Sequence, residues 1–218
     1  MTDHFLRVFS LFSSIQGEST SQGRPCFFVR LAGCPLSCSY CDTLDARESP
    51  GRPMGVEQAL SAAEDSGLRL VEVTGGEPLA QPATVLLLSS LADAGFDVLL
   101  ETSGAFPVRD LDPKVRVVLD LKTPGSGMFE RMHIDNYDSL VPGRHELKIV
   151  VTSREDFDWG LRFVRDRGIE GRVETLFSPA AGLVQPADLA SWMLDASCRG
   201  RLQLQIHRVI WPSSQEQR

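Results

Sequence analysis

The sequence predicts an α/β fold, an incomplete TIM-like (β/α) barrel with parallel strands. Three observations lead there. Short β-rich runs alternate with helical patterns along the chain, the order that builds a parallel sheet covered by helices. Several of these runs are almost continuously apolar, as strands buried on both faces require. Seven runs fit into 218 residues, short of a closed eight-stranded barrel and with room only for brief helices.

The strand candidates are "CFFVRLA" (26–32), "RLVEVT" (69–74), "DVLLET" (97–102), "VRVVLDLK" (115–122), "HELKIVVT" (145–152), "RVETLFS" (172–178) and "RLQLQIH" (201–207). Helices fit between most of them. "VEQALSAAEDSG" sets Val56, Leu60 and Ala63 on one face and stops at Gly67. "QPATVLLLSSLADAG" has Pro82 near its start and Gly95 at its end. Ser153 caps the next, with Asp156 three residues on and Phe157, Leu161 and Val164 as the inner stripe. The last opens at Pro186 and carries Leu189, Trp192, Met193 and Ala196, a stripe read as core. The connections 46–55 and 123–143 are long and rich in Gly and Pro, which marks functional loops, although little structure is expected over 44–55. Residues 1–212 read as one domain and 213–218 as a disordered tail.

The charge balance is 22 basic against 29 acidic residues, net -7, with no block of like charge. That argues against nucleic acid or an anionic membrane surface as a partner. No apolar run approaches the roughly 18 residues of a membrane span. "MTDHFLRVFSLFSS" makes a poor signal peptide, so a cytoplasmic location is expected. In that reducing compartment the five cysteines are not expected to form structural disulfides, and clustered ones are expected as metal ligands or redox groups.

Three of them, Cys34, Cys38 and Cys41, form C-x3-C-x2-C within "LAGCPLSCSYCDT" (31–43). Close spacing suits an iron–sulfur cluster, because one loop must reach several of its corners. Three thiolates hold three irons of a cubane and leave the fourth open to a substrate or cofactor. A zinc site needs a fourth ligand. Cys26, Cys198 and His207 are the distant choices for it, and three unrelated cysteines are the remaining alternative. One βα unit later, "VEVTGGEP" (71–78) places Thr74, Gly75, Gly76 and Glu77 at a strand end, where glycines let a ligand approach the backbone.

With Tyr40 just before its last cysteine, the cysteine loop resembles the signature of radical S-adenosylmethionine (SAM) enzymes, and "TGGEP" resembles their GGE motif. The resemblance implies a radical-SAM-type barrel and a 4Fe-4S cluster on Cys34, Cys38 and Cys41. It also implies that the amino and carboxylate groups of SAM chelate the fourth iron, and that the reduced cluster cleaves SAM to a radical. "FSSIQGESTSQGRPCFFVRLAGC", "CDT" (41–43), "ETSG" (101–104), "DLKTPGSG" (120–127) and "QIHRVIWP" (205–212) are similar to the 7-carboxy-7-deazaguanine synthase family, over most of the chain.

That second resemblance implies conversion of 6-carboxy-5,6,7,8-tetrahydropterin to 7-carboxy-7-deazaguanine with loss of ammonia, in queuosine-type 7-deazapurine biosynthesis. Ile15, Gln16, Gly17 and Glu18 would meet the amino–oxo edge of the pterin, with Thr74, His207 and Pro212 also facing substrate. Arg30 would pair with the substrate carboxylate in bidentate geometry, and Thr43 would give Mg2+ a hard oxygen. Gly76, Glu77, Asp120, Leu121, Lys122 and Ser178 would line SAM, with Glu101 and Ser103 as weaker candidates. A flavodoxin or ferredoxin would supply electrons, and a homodimer is expected. Each residue also has a plain reading: Arg30 in an internal ion pair, Asp42 and Thr43 capping a turn, Lys122 solvated, His207 in the core, Gln16 and Glu18 in an ordinary loop. Family members whose chain stops near the counterpart of Pro212 present a terminal carboxylate to substrate; here "SSQEQR" follows. A glycyl-radical activase shares the cluster and the size but has no need of "IQGE" or Arg30. A non-catalytic cluster protein would not need the GGE motif.

Overall fold

The computed structural model describes residues 4–212. Its strands, in chain order, are β1 (Phe5–Ile15), β2 (Pro25–Leu31), β3 (Arg52–Gly55), β4 (Leu70–Gly75), β5 (Asp97–Thr102), β6 (Arg116–Asp120), β7 (His145–Val151), β8 (Glu174–Pro179) and β9 (Arg201–Leu202). The helices are α1 (Leu44–Glu48), α2 (Val56–Asp65), α3 (Ala83–Asp93), α4 (Asp135–Asp138), α5 (Arg154–Asp166), α6 (Pro186–Asp195) and α7 (Ile206–Ile210). The strands form one open sheet in the order β3-β1-β2-β4-β5-β6-β7-β8-β9. From β2 through β9 every neighbouring pair is parallel, whereas β1 runs antiparallel to both β2 and β3.

The helices follow their caps. Ser153 accepts from the Asp156 N–H at 3.3 Å to start α5, and Pro186 opens α6. Three expectations change. β1 was not anticipated as a strand, yet it pairs with β2 over Val8–Ile15. Residues 44–55 were expected to carry little structure, yet they contain α1 and β3, which extends the sheet by pairing with Phe5–Val8. The strand expected over 201–207 stops at Leu202. Beyond it the Ile206 N–H donates to the carbonyl of Gly17 at 3.1 Å, so the chain leaves the ladder and turns across the barrel mouth as α7. The tail expected to be disordered, 213–218, lies outside the described residues.

The alternation of the strands sorts side chains between two cores. One parity, including Val29, Val71, Leu100, Leu119, Ile149 and Phe177, packs beneath the helices with Leu87, Leu91, Phe157 and Leu161. The other parity faces the barrel interior. At the N-terminal end of the strands it forms an apolar floor of Cys26, Phe28, Leu70, Leu99 and Val118. Toward the C-terminal ends the same parity turns polar: Arg30, Glu72, Thr74, Glu101, Asp120, Lys148 and Ser178. One sheet surface thus closes the bottom and functionalises the top.

Candidate active site

The cavity lies at the C-terminal ends of the parallel strands, and Cys34, Cys38 and Cys41 line one side of it. All three thiols are free and half-buried. Burial raises the thiols of Cys34 and Cys38. Among the described residues no three His, Cys, Asp or Glu side chains converge as a single ion requires. A cubane spreads its thiolates over separate corners, so this donor set fits a cluster with one open iron.

The cysteine loop is clasped from two sides. On one side, the Gly76 N–H donates to the carbonyl of Leu31 at 3.0 Å and the Glu77 N–H to that of Gly33 at 2.9 Å. A Cβ at Gly76 would stand 2.0 Å from that Gly33 oxygen, and one at Gly75, where φ is 139°, 2.1 Å from the Leu31 oxygen. These glycines therefore admit the cysteine loop itself against β4, and Gly76 also lines the cavity. On the other side, the segment after β6 meets the loop at Ser39, whose N–H donates to the carbonyl of Ser126 at 3.1 Å. That segment is pinned by Asp156, which accepts from Thr123 Oγ1 at 2.8 Å and from the Gly125 N–H at 2.9 Å.

Charged groups fill the deeper part. Lys148 donates to Glu18 and to Glu101. Glu101 also accepts from Thr74 Oγ1 at 3.4 Å. Glu72 accepts from Gln16 Nε2 at 2.5 Å, and Gln16 Oε1 accepts from the Glu18 N–H. Burial opposes ionisation of Glu101, but the charge and hydrogen bond of Lys148 outweigh it and hold the carboxyl at about 2. Burial also opposes charge on Lys148, and Glu101 and Glu18 more than restore it. Arg30 projects from β2 with its guanidinium 5.5 Å from the Phe12 ring centroid, and Phe12 stacks on Phe28. Its Nε is buried with no hydrogen-bond partner.

Nearer the cysteines, Lys122 donates to Asp120 Oδ2 at 2.6 Å and lies 5.5 Å from the Tyr40 ring centroid. Asp120 Oδ1, Ser178 Oγ and the Tyr40 hydroxyl are buried without partners. Thr43 occupies the N-cap position of α1 without capping it, and its Oγ1 stands 4.0 Å from Cys41 Sγ. α7 closes the mouth. Gln205 Nε2 donates to Glu18 at 2.6 Å and to Asp42 at 3.0 Å, and the His207 ring packs on Gly17.

Most of the residues expected at the site therefore line this one cavity: Ile15, Gln16, Gly17, Glu18, Arg30, the three cysteines, Thr43, Thr74, Gly76, Glu101, Ser103, Asp120, Lys122, Ser178 and His207. Five of the expected residues are placed otherwise than expected. Glu77 is fully buried and turned away from the cavity. It caps the turn at 78–80 through the Leu79 N–H at 2.8 Å and accepts from Thr102 Oγ1 and from the Ser103 N–H and hydroxyl. Leu121 has the opposite strand parity from Asp120 and Lys122, so its side chain enters the helical core. Pro212 ends the described chain exposed and off the cavity. Each end of the Gln16 amide makes one hydrogen bond inside the protein, Nε2 to Glu72 and Oε1 from the Glu18 N–H. Glu101, expected beside SAM, stands with Thr74 and Lys148. The plain readings of Arg30 as an internal ion pair and of Thr43 as a side-chain cap also give way.

Lys148, Glu72, Gln205 and Arg208 also line the cavity and were not anticipated. A lysine inside "HELKIVV" and a glutamate inside "RLVEVT" are charges within apolar strands, which was the available signal.

Residues 29–175 match the family model of the radical SAM superfamily. A 7-carboxy-7-deazaguanine synthase of Chlorobaculum tepidum is 43% identical over 212 residues, 96% of either chain. The chain belongs to this synthase family of the radical SAM superfamily. A second family member, from Koribacter versatilis, is 36% identical over 221 residues, covering 94% of this chain and 97% of that one. Among solved structures, QueE from Escherichia coli aligns with a TM-score of 0.68 at 21% identity, over 93% of this chain and 95% of that one. Streptococcus suis SuiB bound to its precursor peptide SuiA gives 0.59 at 16% identity, over 81% of this chain and 47% of that one. These two likenesses concern the fold. Membership makes the chain a radical SAM enzyme, with a 4Fe-4S cluster and SAM as cofactors. Among the described residues no helix is long and apolar enough to cross a membrane.

Proposed function

We propose that the chain converts 6-carboxy-5,6,7,8-tetrahydropterin to 7-carboxy-7-deazaguanine, releasing ammonia, as a step toward queuosine-type 7-deazapurines. One observation carries this reading. The cavity lined by the three thiols also contains a partly buried guanidinium, Arg30, whose buried Nε has no partner. A cation with a buried free donor calls for an anionic ligand, and a planar carboxylate suits it.

The cluster with SAM supplies the radical chemistry, Cys34, Cys38 and Cys41 being the thiolates that hold it. The rest of the chain binds, orients and shields. Arg30, with one face against Phe12, directs its edge at the substrate carboxylate. Thr43 would hold Mg2+ through its hydroxyl, the hard oxygen donor such an ion takes, and the ion would supply positive charge beside the substrate. Glu18 and Glu101, tethered by Lys148, keep lone pairs for the N–H groups of the amino–oxo edge. Asp120 Oδ1 and Ser178 Oγ are buried, unpartnered acceptors on the cysteine side, suited to the polar groups of SAM. Gln205 and His207 cover the mouth and limit water. A flavodoxin or ferredoxin delivers electrons, and two copies form a homodimer.

The deciding experiment is anaerobic reconstitution followed by reductant, SAM, Mg2+ and the carboxy-pterin. Carboxy-deazaguanine is the expected product, and its absence while SAM is still cleaved overturns the assignment.

A further inference from the structure

Three carboxylates, Glu18, Glu72 and Glu101, share the deep end of the cavity with two cations, Lys148 and Arg30. Lys148 donates to Glu18 and Glu101, the two that face the bound edge in the reading above. Glu72 lies one interior layer deeper on β4, level with Leu99 of β5 and Phe28 of β2 and two residues before Thr74. It is 2% exposed. Gln16 Nε2 donates to it at 2.5 Å, and Glu101 stands beside it on the same face of the adjacent strand, two residues beyond its register partner Leu99.

Two buried carboxyls side by side repel when both are ionised and attract only if a proton lies between them. Lys148 already supplies Glu101 with a cation, so the proton belongs on Glu72. The donors then close a ring. The Glu18 N–H donates to Gln16, Gln16 to Glu72, and Lys148 to both Glu101 and Glu18, and a proton on Glu72 directed at Glu101 completes the circuit. We infer that Glu72 is a neutral carboxylic acid and a positioning residue, which donates its proton to Glu101 and so fixes the two substrate-facing carboxylates.

The surroundings agree. Cys26 and Arg30 face Glu72 from β2, Glu101 from β5 and Glu18 from the loop after β1, with Lys148 beyond them on β7. Arg30 attracts the Glu72 carboxyl but makes no hydrogen bond to it, and a carboxylate bound at Arg30 further disfavours charge on Glu72. Burial, with Glu101 next to it, pushes the Glu72 carboxyl well above the usual carboxylate range.

The test has two arms. In the cluster-loaded enzyme at neutral pH, without substrate, infrared spectroscopy is expected to show the carbonyl band of a protonated carboxyl that vanishes in Glu72→Gln. If the two spectra carry no such difference, Glu72 is ionised and the inference fails, whatever the enzyme makes. The second arm rests on the proposed function. Glu72→Leu is expected to raise KM for the carboxy-pterin about tenfold, as loss of a hydrogen bond to a charged group implies. Glu72→Gln, whose amide restores a donor, should recover most of that loss. A Glu72→Leu enzyme with unaltered KM removes the positioning role. If wild-type enzyme makes no product from the carboxy-pterin, the proposed function falls while the infrared result stands.

Discussion

Ser39, between the second and third clustered cysteines, donates its hydroxyl to the carbonyl oxygen of Gly125 at 2.8 Å. The N–H of the same Gly125 donates to Asp156 at the start of α5. The cysteine loop is therefore latched, through one glycine, to a helix N-terminus with its own tertiary anchors. A Cβ on Gly125 would stand 2.2 Å from Thr152 Oγ1 and 2.3 Å from Asp156 Oδ2. Gly125→Ala is expected to cost about 1–3 kcal/mol by overpacking and to speed iron loss to a chelator. A variant that keeps wild-type melting and iron retention would remove the latch.

Lys148 joins Glu18 and Glu101 in the interior. Replacing it by Met leaves two buried carboxylates without their cation, expected to cost on the order of 3–5 kcal/mol. The acid limb of the stability curve changes too. Glu101 in the native protein sits at about 2, below its ordinary 4.5. Its contribution is full above about 4.5 and is lost as pH falls toward about 2. In Lys148→Met the carboxyl loses the cation that chiefly holds it down against burial, so this loss between about 4.5 and about 2 should disappear, which denaturant titrations across the acid range will show.

His145 provides a second pH-dependent contribution, away from the active site. Burial, with Arg144 beside it, lowers its imidazole from 6.5 to about 4, and its Nδ1 accepts from the Val141 N–H at 3.1 Å. Between those values the unfolded chain takes up a proton that the native protein refuses. Stability is therefore complete above about 6.5 and declines as pH falls toward about 4. His145→Asn keeps an acceptor without the titration, so it should flatten this window. A melting-temperature profile against pH that matches wild type rules out His145 as the cause.

Thr43 stands at the end of the cysteine loop with its hydroxyl uncommitted to the helix that follows. Thr43→Ala is expected to raise the Mg2+ concentration needed for half-maximal activity several-fold, with the cluster absorbance unchanged. An identical Mg2+ response in the variant would dismiss Thr43 as a ligand.

Gly76→Ala tests the clasp on the other side of the cysteine loop. With 2.0 Å to the Gly33 oxygen, a methyl there must displace backbone next to Cys34. Reconstitution should load less iron than in wild type, and Gly95→Ala, at a turn with nothing within 4 Å, is the control for general destabilisation.

Local chemistry was legible in the sequence wherever it acts over a few residues. The C-x3-C-x2-C spacing, the Ser153 cap, Pro186 at a helix start and the apolar strand runs depend on near neighbours, and they appear where their pattern put them. So does the parity that sends Arg30, Thr74, Glu101 and Asp120 into one interior. Only the tertiary structure decided the rest, because the deciding contacts join distant segments. β1 became a strand because β2 and β3 offered it edges. Glu77, beside the glycines of its motif, turned inward because Thr102 and Ser103 satisfy it there. Gln16 and Glu72, 56 positions apart, became partners because an isolated carboxyl or amide in that interior must find one. Sequence alone determined the kind of site this is; burial and hydrogen-bond satisfaction across the barrel determined which polar groups remained free to act in it.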